Sequence, residues 1–159
     1  NDYRTFVRNH VSEGARPGPI LDRAGKVLGE HSGIINYTVG QRRGLGVAAE
    51  HPLYVVAIDP ARNALIVGPR SAVYADELLA AEVNWICGVP VEETIQVQAK
   101  VRYQHPAAPA TVTVLEGGRA RVQFDPPQMA ITPGQFVVFY DCELLLGGGV
   151  IAEVLRPWS

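Results

Sequence analysis

The chain contains 159 residues, of which 47% are hydrophobic and 19% are charged. This length accommodates one ordinary domain or two small ones, and the composition is typical of a folded globular chain rather than a disordered one. The formal net charge of −2 argues against a strongly basic nucleic-acid-binding protein. No apolar run approaches the roughly 20 residues of a membrane helix.

The net charge conceals an asymmetry between the two halves of the chain. Residues 1–75 carry nine Lys and Arg against six Asp and Glu, a net +3, whereas residues 76–159 carry five against ten, a net −5. The sign change favours a boundary near residue 75, with domains at 1–75 and 76–159. The basic half suggests a polyanionic partner.

The N-terminal half is predicted to begin with a helix over residues 1–11, where Tyr3, Phe6, Val7 and His10 form one face. The first residue is a helix cap rather than Met, which suggests a piece of a longer chain. Strands and turns should follow: a hairpin around Asp22–Gly25, an irregular glycine-rich loop over 31–46, and strands at 53–59 and 64–68.

The C-terminal half is predicted to be almost entirely strands, with residues 76–86 favouring a strand over a helix. Alternation over 95–103 places Tyr103 on the apolar face and Lys100 and Arg102 toward solvent. A hairpin over 110–124, a strand at 136–140 buried on both faces, and a final strand at 150–155, after Gly147–Gly149, should follow. Short strands at regular spacing indicate a small closed or nearly closed barrel.

Three segments combine residue types that suit an RNA ligand. Gln41, Arg42 and Arg43 lie in a glycine-rich loop, where backbone N–H groups and guanidinium groups could hold phosphates. Lys100–His105 could pair with phosphate and stack on an unpaired base, and Gln135 follows a Pro-Gly turn at the start of a strand. Each segment also fits a plain alternative: a surface loop, a solvated strand face with Tyr103 buried, and a structural turn.

The catalytic motifs that a sequence can reveal are absent. The chain has no HExxH, no GxGxxG and no recognisable Ser-His-Asp set. Its four histidines are scattered, as expected for surface or core residues, and Gly147–Gly149 suits a sharp corner or close backbone packing. Cys87 and Cys142 lack the spacing of a metal site and favour two reduced thiols. The residues therefore support a binding module better than an enzyme.

Several motifs occur together in one order: G-E-H-x-G, Y-T-x-G-Q-R-x-G-L-G, P-x-Y-V-V, N-x-L-x-V-G, N-W-I, K-V-R-Y-Q, T-P-G-Q-x-x-V-F-Y and L-G-G-G-x-I. As a set, from about residue 3 to residue 155, they resemble the tRNA-specific 2-thiouridylase family (MnmA, also called TrmU). Y-T-x-G-Q-R-x-G-L-G and T-P-G-Q-x-x-V-F-Y together are highly specific, whereas no single motif would be.

The resemblance implies an ATP-dependent enzyme that replaces the C2 oxygen of wobble uridine 34 in tRNA by sulfur taken from a persulfide. In that family a preceding domain holds the ATP loop, with Mg, and two catalytic cysteines. This chain is similar only to the central and C-terminal domains, so the parent protein is expected to be an enzyme and this piece to contain no catalytic residue and no cofactor. Older naming called the family a tRNA methyltransferase, although no residue here supports methyl transfer.

The resemblance also implies a mainly β fold, with a small central β-rich domain and a C-terminal β-barrel similar to domain 2 of elongation factor Tu. The family's tRNA contacts match Arg102, Tyr103 and Gln135, and the loop of Gln41, Arg42 and Arg43 is a further hypothesis. Expected partners are the anticodon stem-loop region of tRNA, the missing N-terminal domain, and a sulfur-carrier protein, in the cytoplasm and away from membranes. The alternatives are a freestanding RNA- or protein-binding barrel and an acidic docking domain for a sulfur carrier.

Overall fold

The structure is a computed structural model that describes residues 14–86, 88–90 and 93–155. The helix predicted over residues 1–11 and the side chain of Cys87 lie outside the described residues. The chain divides into two compact units, Asn1–Val73 and Tyr74–Ser159. They are called the N-terminal unit and the barrel unit below.

The N-terminal unit is a four-stranded mixed sheet. Its strands are β1 (Gly18–Leu21), β2 (Val27–His31), β3 (Tyr54–Asp59) and β4 (Ala64–Gly68), in the order β2-β1-β4-β3. The central pair β1–β4 is parallel and the outer pairs are antiparallel. Its core consists of buried aliphatic side chains: Ile20, Leu45, Val55, Leu65 and Val67. Two short 3-10 helices cover Ile34–Asn36 and Arg70–Val73.

The turns of this sheet follow local side-chain chemistry, as predicted. In the β1–β2 hairpin, Asp22 Oδ1 accepts hydrogen bonds from the N–H groups of Ala24 and Lys26 at 2.9 and 2.8 Å. In the β3–β4 turn, Arg62 Nε donates to Asp59 Oδ2 at 2.7 Å. This bond lowers the pKa of Asp59, against the opposing effect of desolvation.

His31 joins the edge strand β2 to the β3–β4 turn. It is buried, its Nδ1 accepts the Gly33 N–H at 3.0 Å, and its Nε2 lies 2.9 Å from the Asn63 carbonyl oxygen. Because Nδ1 accepts and Nε2 must donate, both contacts require the neutral Nε2–H tautomer. Asn63, at φ 48°, also donates through Nδ2 to the Pro17 carbonyl at 3.0 Å. His31 is therefore a core histidine, and this junction explains the G-E-H-x-G and N-x-L-x-V-G motifs structurally.

The barrel unit is a closed six-stranded antiparallel barrel, which confirms the predicted fold class and the strand prediction for residues 76–86. The strand order is β10-β5-β8-β7-β6-β9. The strands are β5 (Tyr74–Trp85), β6 (Thr94–Lys100), β7 (Ala108–Leu115), β8 (Arg119–Met129), β9 (Phe136–Asp141) and β10 (Leu144–Leu155). Alternate side chains of each strand fill one continuous interior that includes Leu78, Val112, Val122, Phe139 and Ile151.

Two predictions about strand burial are wrong. β6 ends at Lys100 rather than at Tyr103, because the chain turns away and the His105 N–H donates to the Arg102 carbonyl at 3.2 Å. Tyr103 is consequently exposed instead of lying on the apolar face, and Arg102 is half-buried rather than open to solvent. β9 is not buried on both faces: Val137 and Phe139 point inward, whereas Phe136 is exposed, since a barrel has only one interior.

Gly147–Gly149 lies inside β10, between its two neighbours β5 and β9. A Cβ at Gly147 would overlap the carbonyl oxygen of Asn84, and a Cβ at Gly148 would overlap that of Val137. The glycines therefore let three backbones approach one another where the barrel closes. The predicted structural role of this motif is confirmed.

Gly18→Ala is predicted to destabilise the N-terminal unit. A Cβ at this position would overlap the carbonyl oxygen of Asn63 beside the His31 junction, and such overpacking costs about 1–3 kcal/mol. Urea unfolding of the 159-residue chain, followed by circular dichroism, measures the loss. Val27→Ala on β2 is the control, because Val27 is exposed and its truncation should change stability by no more than about 0.5 kcal/mol. Equal effects of the two substitutions would contradict the prediction.

Candidate nucleic-acid interface

Pairing between β6 and β9 brings two of the predicted RNA-contacting segments to one end of the barrel. Lys100, the last residue of β6, pairs with Val138 of β9 in antiparallel register. The chain that follows Lys100 and the chain that precedes Val138 therefore run along the same edge. Arg102–Tyr103 and Gln135–Phe136 therefore lie at the same rim, which is called the Tyr103 end and is defined by those four residues and Lys100.

The Tyr103 end presents two aromatic rings to solvent. Tyr103 is 93% exposed and Phe136 is 67% exposed. The ammonium group of Lys100 lies 5.6 Å from the centroid of the Tyr103 ring, within the range of a cation–π contact. An exposed ring beside a cation suits an unpaired base and its phosphate.

Gln135 sits on a turn that is fixed by its backbone. Its N–H donates to the Thr132 carbonyl at 3.3 Å, and its own carbonyl accepts the Ile151 N–H of β10 at 2.7 Å. Gly134 has φ 85°, as the predicted Pro-Gly type II turn requires. The side chain of Gln135 is exposed, so a rigid turn presents an amide that can both donate and accept hydrogen bonds.

The two loops at the Tyr103 end carry charge of one sign, whereas the strand ends beside them include the exposed Asp125 and Glu153. The two connecting loops at this rim, residues 101–107 and 130–135, contain Arg102 and neither Asp nor Glu. Lys100 adds a second positive charge at the end of β6. A polyanion can therefore approach this rim without meeting an acidic side chain from either loop.

The Gly-Arg loop, residues 37–46, belongs to the N-terminal unit and is anchored to β3. The Gly40 N–H donates to the Val55 carbonyl at 2.8 Å, and the Val55 N–H donates to the Gln41 carbonyl at 2.9 Å. Val39 and Leu45 are buried on either side of the tip. The tip itself presents Arg42 and Arg43 to solvent.

Gln41 holds the shape of this loop. Its Oε1 accepts the Thr38 N–H at 3.1 Å and its Nε2 donates to the Arg43 carbonyl at 2.9 Å. Both ends of the amide are thus bonded within the loop, which favours a positioning role over a ligand contact. Beside Arg42 lies an open surface cavity of about 640 Å³, lined by Arg42 and residues 44–53.

The predicted site residues therefore form two groups, one in each unit. Arg102, Tyr103 and Gln135 come together at the barrel rim, whereas Gln41, Arg42 and Arg43 belong to the loop of the other unit. Sequence reasoning missed Phe136 because it lies within an apolar run. Its position at the first residue of a strand, directly after a turn, was the available signal.

Neither a metal site nor a membrane-spanning helix occurs within the described ranges. No group of three or more His, Cys, Asp and Glu side chains there could hold a metal ion. No helix in the same part of the chain has the length and apolar character needed to cross a membrane. Cys142 is a free, exposed thiol.

Two domain-family models match the chain in sequence order. Residues 4–69 match the tRNA methyl transferase PRC-barrel domain, and residues 75–151 match the aminomethyltransferase beta-barrel domain. The chain is thus a pair of β-rich domains of the class that accompanies tRNA-modifying enzymes. Together with the relatives below, these matches show that the chain belongs to the tRNA-specific 2-thiouridylase family, of which it spans a part.

The relatives are close in sequence but longer. The tRNA-specific 2-thiouridylase MnmA of Geobacter metallireducens is 50% identical over 151 residues, and that of Pelotomaculum thermopropionicum is 51% identical over 151 residues. The MnmA protein of Acetivibrio thermocellus is 47% identical over the same length. Each match covers 95% of this chain but only 41–42% of the relative.

Gln41→Ala is predicted to loosen the Gly-Arg loop locally. The substitution removes the acceptor for the Thr38 N–H, and loss of one such bond is worth about 1 kcal/mol, or roughly fivefold faster amide exchange at Thr38. Amide exchange measured by NMR tests this. Arg43→Ala is the control, because it leaves intact the backbone carbonyl that Gln41 uses. Unchanged exchange at Thr38 in Gln41→Ala would contradict the positioning role.

Proposed function

We propose that this chain is the tRNA-binding, non-catalytic part of a tRNA 2-thiouridylase. The observation that carries the proposal is the Tyr103 end of the barrel, where the exposed Tyr103 ring lies beside Lys100 and shares a rim with Gln135. Family membership supplies tRNA as the RNA class. The two domains, residues 1–75 and 76–159, then serve to hold and orient the substrate.

Stacking on Tyr103 is the main interaction in this proposal. Proteins recognise RNA chiefly through single-stranded loops whose bases can stack on aromatic side chains. The anticodon loop is such a segment, and each base–aromatic stack contributes about 1–3 kcal/mol. Phe136, exposed at the same rim, offers a second surface of this kind.

Charge and hydrogen bonding supply the remaining contacts. Arg102 and Lys100 pair with phosphates beside the stacked base, and the amide of Gln135 reads a sugar or base edge. In the N-terminal unit, Arg42 and Arg43 contact a separate stretch of the tRNA backbone, on a loop whose shape Gln41 maintains. Few contacts are required, because each is placed by rigid backbone.

In this proposal, the catalytic steps take place in the part of the parent protein that lies outside this chain. The family resemblance implies that this part binds ATP, activates the C2 position of wobble uridine 34, and replaces its oxygen by sulfur from a persulfide. The present sequence has no ATP loop, so no step through ATP is derived from its residues. A sulfur-carrier protein is the expected donor, and the cytoplasm, where tRNA matures, is the expected location.

Tyr103→Ala in the full-length protein is expected to weaken tRNA binding by about 5- to 100-fold, the equivalent of one lost base stack. Tyr103→Phe keeps the ring and should bind like the unmodified protein. Fluorescence titration with an anticodon stem-loop RNA measures both, and thermal unfolding verifies that the barrel remains folded. Equal affinities for the Ala and Phe variants would reject the stacking role.

Arg102→Ala is expected to lower the salt dependence of tRNA binding. Loss of one phosphate contact reduces the slope of log K against log salt by about 0.7–0.9. Arg102→Lys keeps the charge and should retain the slope. Arg119→Ala is the matched control, because Arg119 begins β8 at the opposite rim of the barrel. A slope that falls equally for Arg119→Ala would show a general charge effect instead of a local contact.

A further inference from the structure

The barrel has a second exposed surface at the rim opposite Tyr103. Ile86 and Leu144 are each 59% exposed, and Leu145 is 41% exposed. The Ile86 N–H donates to the Leu146 carbonyl at 2.9 Å, so Ile86 lies directly beside the first residues of β10. These three side chains define an apolar surface, called the Leu144 end below.

The Leu144 end is not needed to close the core. Trp85 pairs with Gly147 and stacks on the buried ring of Phe139, with 5.4 Å between the ring centroids. The interior is therefore already covered at this rim, and Leu144 and Leu145 extend beyond it. Adjacent large apolar side chains that the core does not use are typical of a binding surface.

Acidic side chains surround this apolar surface. Asp141 and Glu143 flank the β9–β10 turn, Glu93 precedes β6, and Glu116 lies in the β7–β8 turn, all four exposed. Arg119 is the one cation on the described part of this rim. The Leu144 end is therefore predominantly acidic.

We propose that the Leu144 end is the docking surface for a partner protein that presents basic side chains around an apolar centre. An apolar patch with a charged rim is the usual anatomy of a protein–protein interface, and the rim charge selects the complementary partner. The acidic rim repels the phosphates of RNA. It also disfavours a second copy of this chain, because two like rims would face each other.

The position of this surface permits two partners to bind at the same time. Because the two rims are opposite ends of one barrel, the partner protein can dock while RNA occupies the Tyr103 end. The proposal rests on the exposure and charge of the Leu144 end alone. It would stand even if the Tyr103 end bound no RNA.

Photo-crosslinking in cells tests which occupant covers the surface. A benzophenone amino acid replaces Leu144 in the full-length protein, and in a matched variant it replaces Phe136, which is similarly exposed at the other rim. The expected result is one protein species, of basic charge, crosslinked from position 144 and not from position 136. A crosslink from position 144 only to a second copy, to another segment of the same chain or to RNA would overturn the proposal, as would no crosslink.

The captured protein is then purified and titrated against variants of the full-length protein. Leu144→Ser with Leu145→Ser should weaken binding about tenfold or more, as expected for loss of the apolar centre of an interface. The double substitution Asp141→Lys with Glu143→Lys should weaken partner binding more at low salt than at high salt, because salt screens the attraction between charges. Unchanged affinity in both double variants would overturn the proposal.

The same variants separate this proposal from the proposed RNA function. tRNA affinity should be retained in Leu144→Ser with Leu145→Ser, and partner affinity should be retained in Tyr103→Ala. Loss of tRNA binding in Tyr103→Ala with no partner at position 144 would uphold the first proposal and reject the second. Unchanged tRNA binding in Tyr103→Ala, together with a partner captured at position 144, would reject the first proposal and uphold the second.

Discussion

Closure of the barrel is the constraint on which the candidate sites depend. β10 must approach β5 and β9 so closely that side chains at Gly147 and Gly148 would overlap neighbouring carbonyl oxygens. Once the barrel closes, the ends of its antiparallel strands lie at two opposite rims. Tyr103 and Gln135, far apart in the chain, become neighbours at one rim only because Lys100 pairs with Val138.

The same closure bears on the proposed binding of RNA by an acidic domain. Residues 76–159 carry a net charge of −5, which taken alone argues against a polyanionic partner. Asp141, Glu143, Glu93 and Glu116 lie at one rim, whereas Lys100 and Arg102 lie at the other, together with the exposed Asp125 and Glu153. Local charge governs the approach of a ligand within a Debye length of about 8 Å at physiological salt. Net charge is therefore a poor guide to this barrel.

Sequence patterns predicted the regular parts of the fold. Alternation over residues 95–103 correctly placed Val97, Ala99 and Val101 inside, since a strand directs alternate side chains to opposite faces. The exposure of Tyr103 and Phe136 was not predictable in this way. Where a strand leaves the sheet depends on where its neighbours stop pairing, and that is a non-local property. The candidate site lies at these strand ends, so pattern reasoning was least accurate where function is concentrated.

The sequence by itself determined the family, the mainly β class and the turn chemistry, because glycines, Pro-Gly pairs and alternating apolar residues act over a few neighbouring positions. Tertiary structure decided the burial and the hydrogen-bond partners of the polar residues. It placed His31 in the core, bonded both ends of the Gln41 amide within its own loop, and left Tyr103 open to solvent. Burial and hydrogen-bond partners depend on which distant segments meet, and that information exists only in the folded chain.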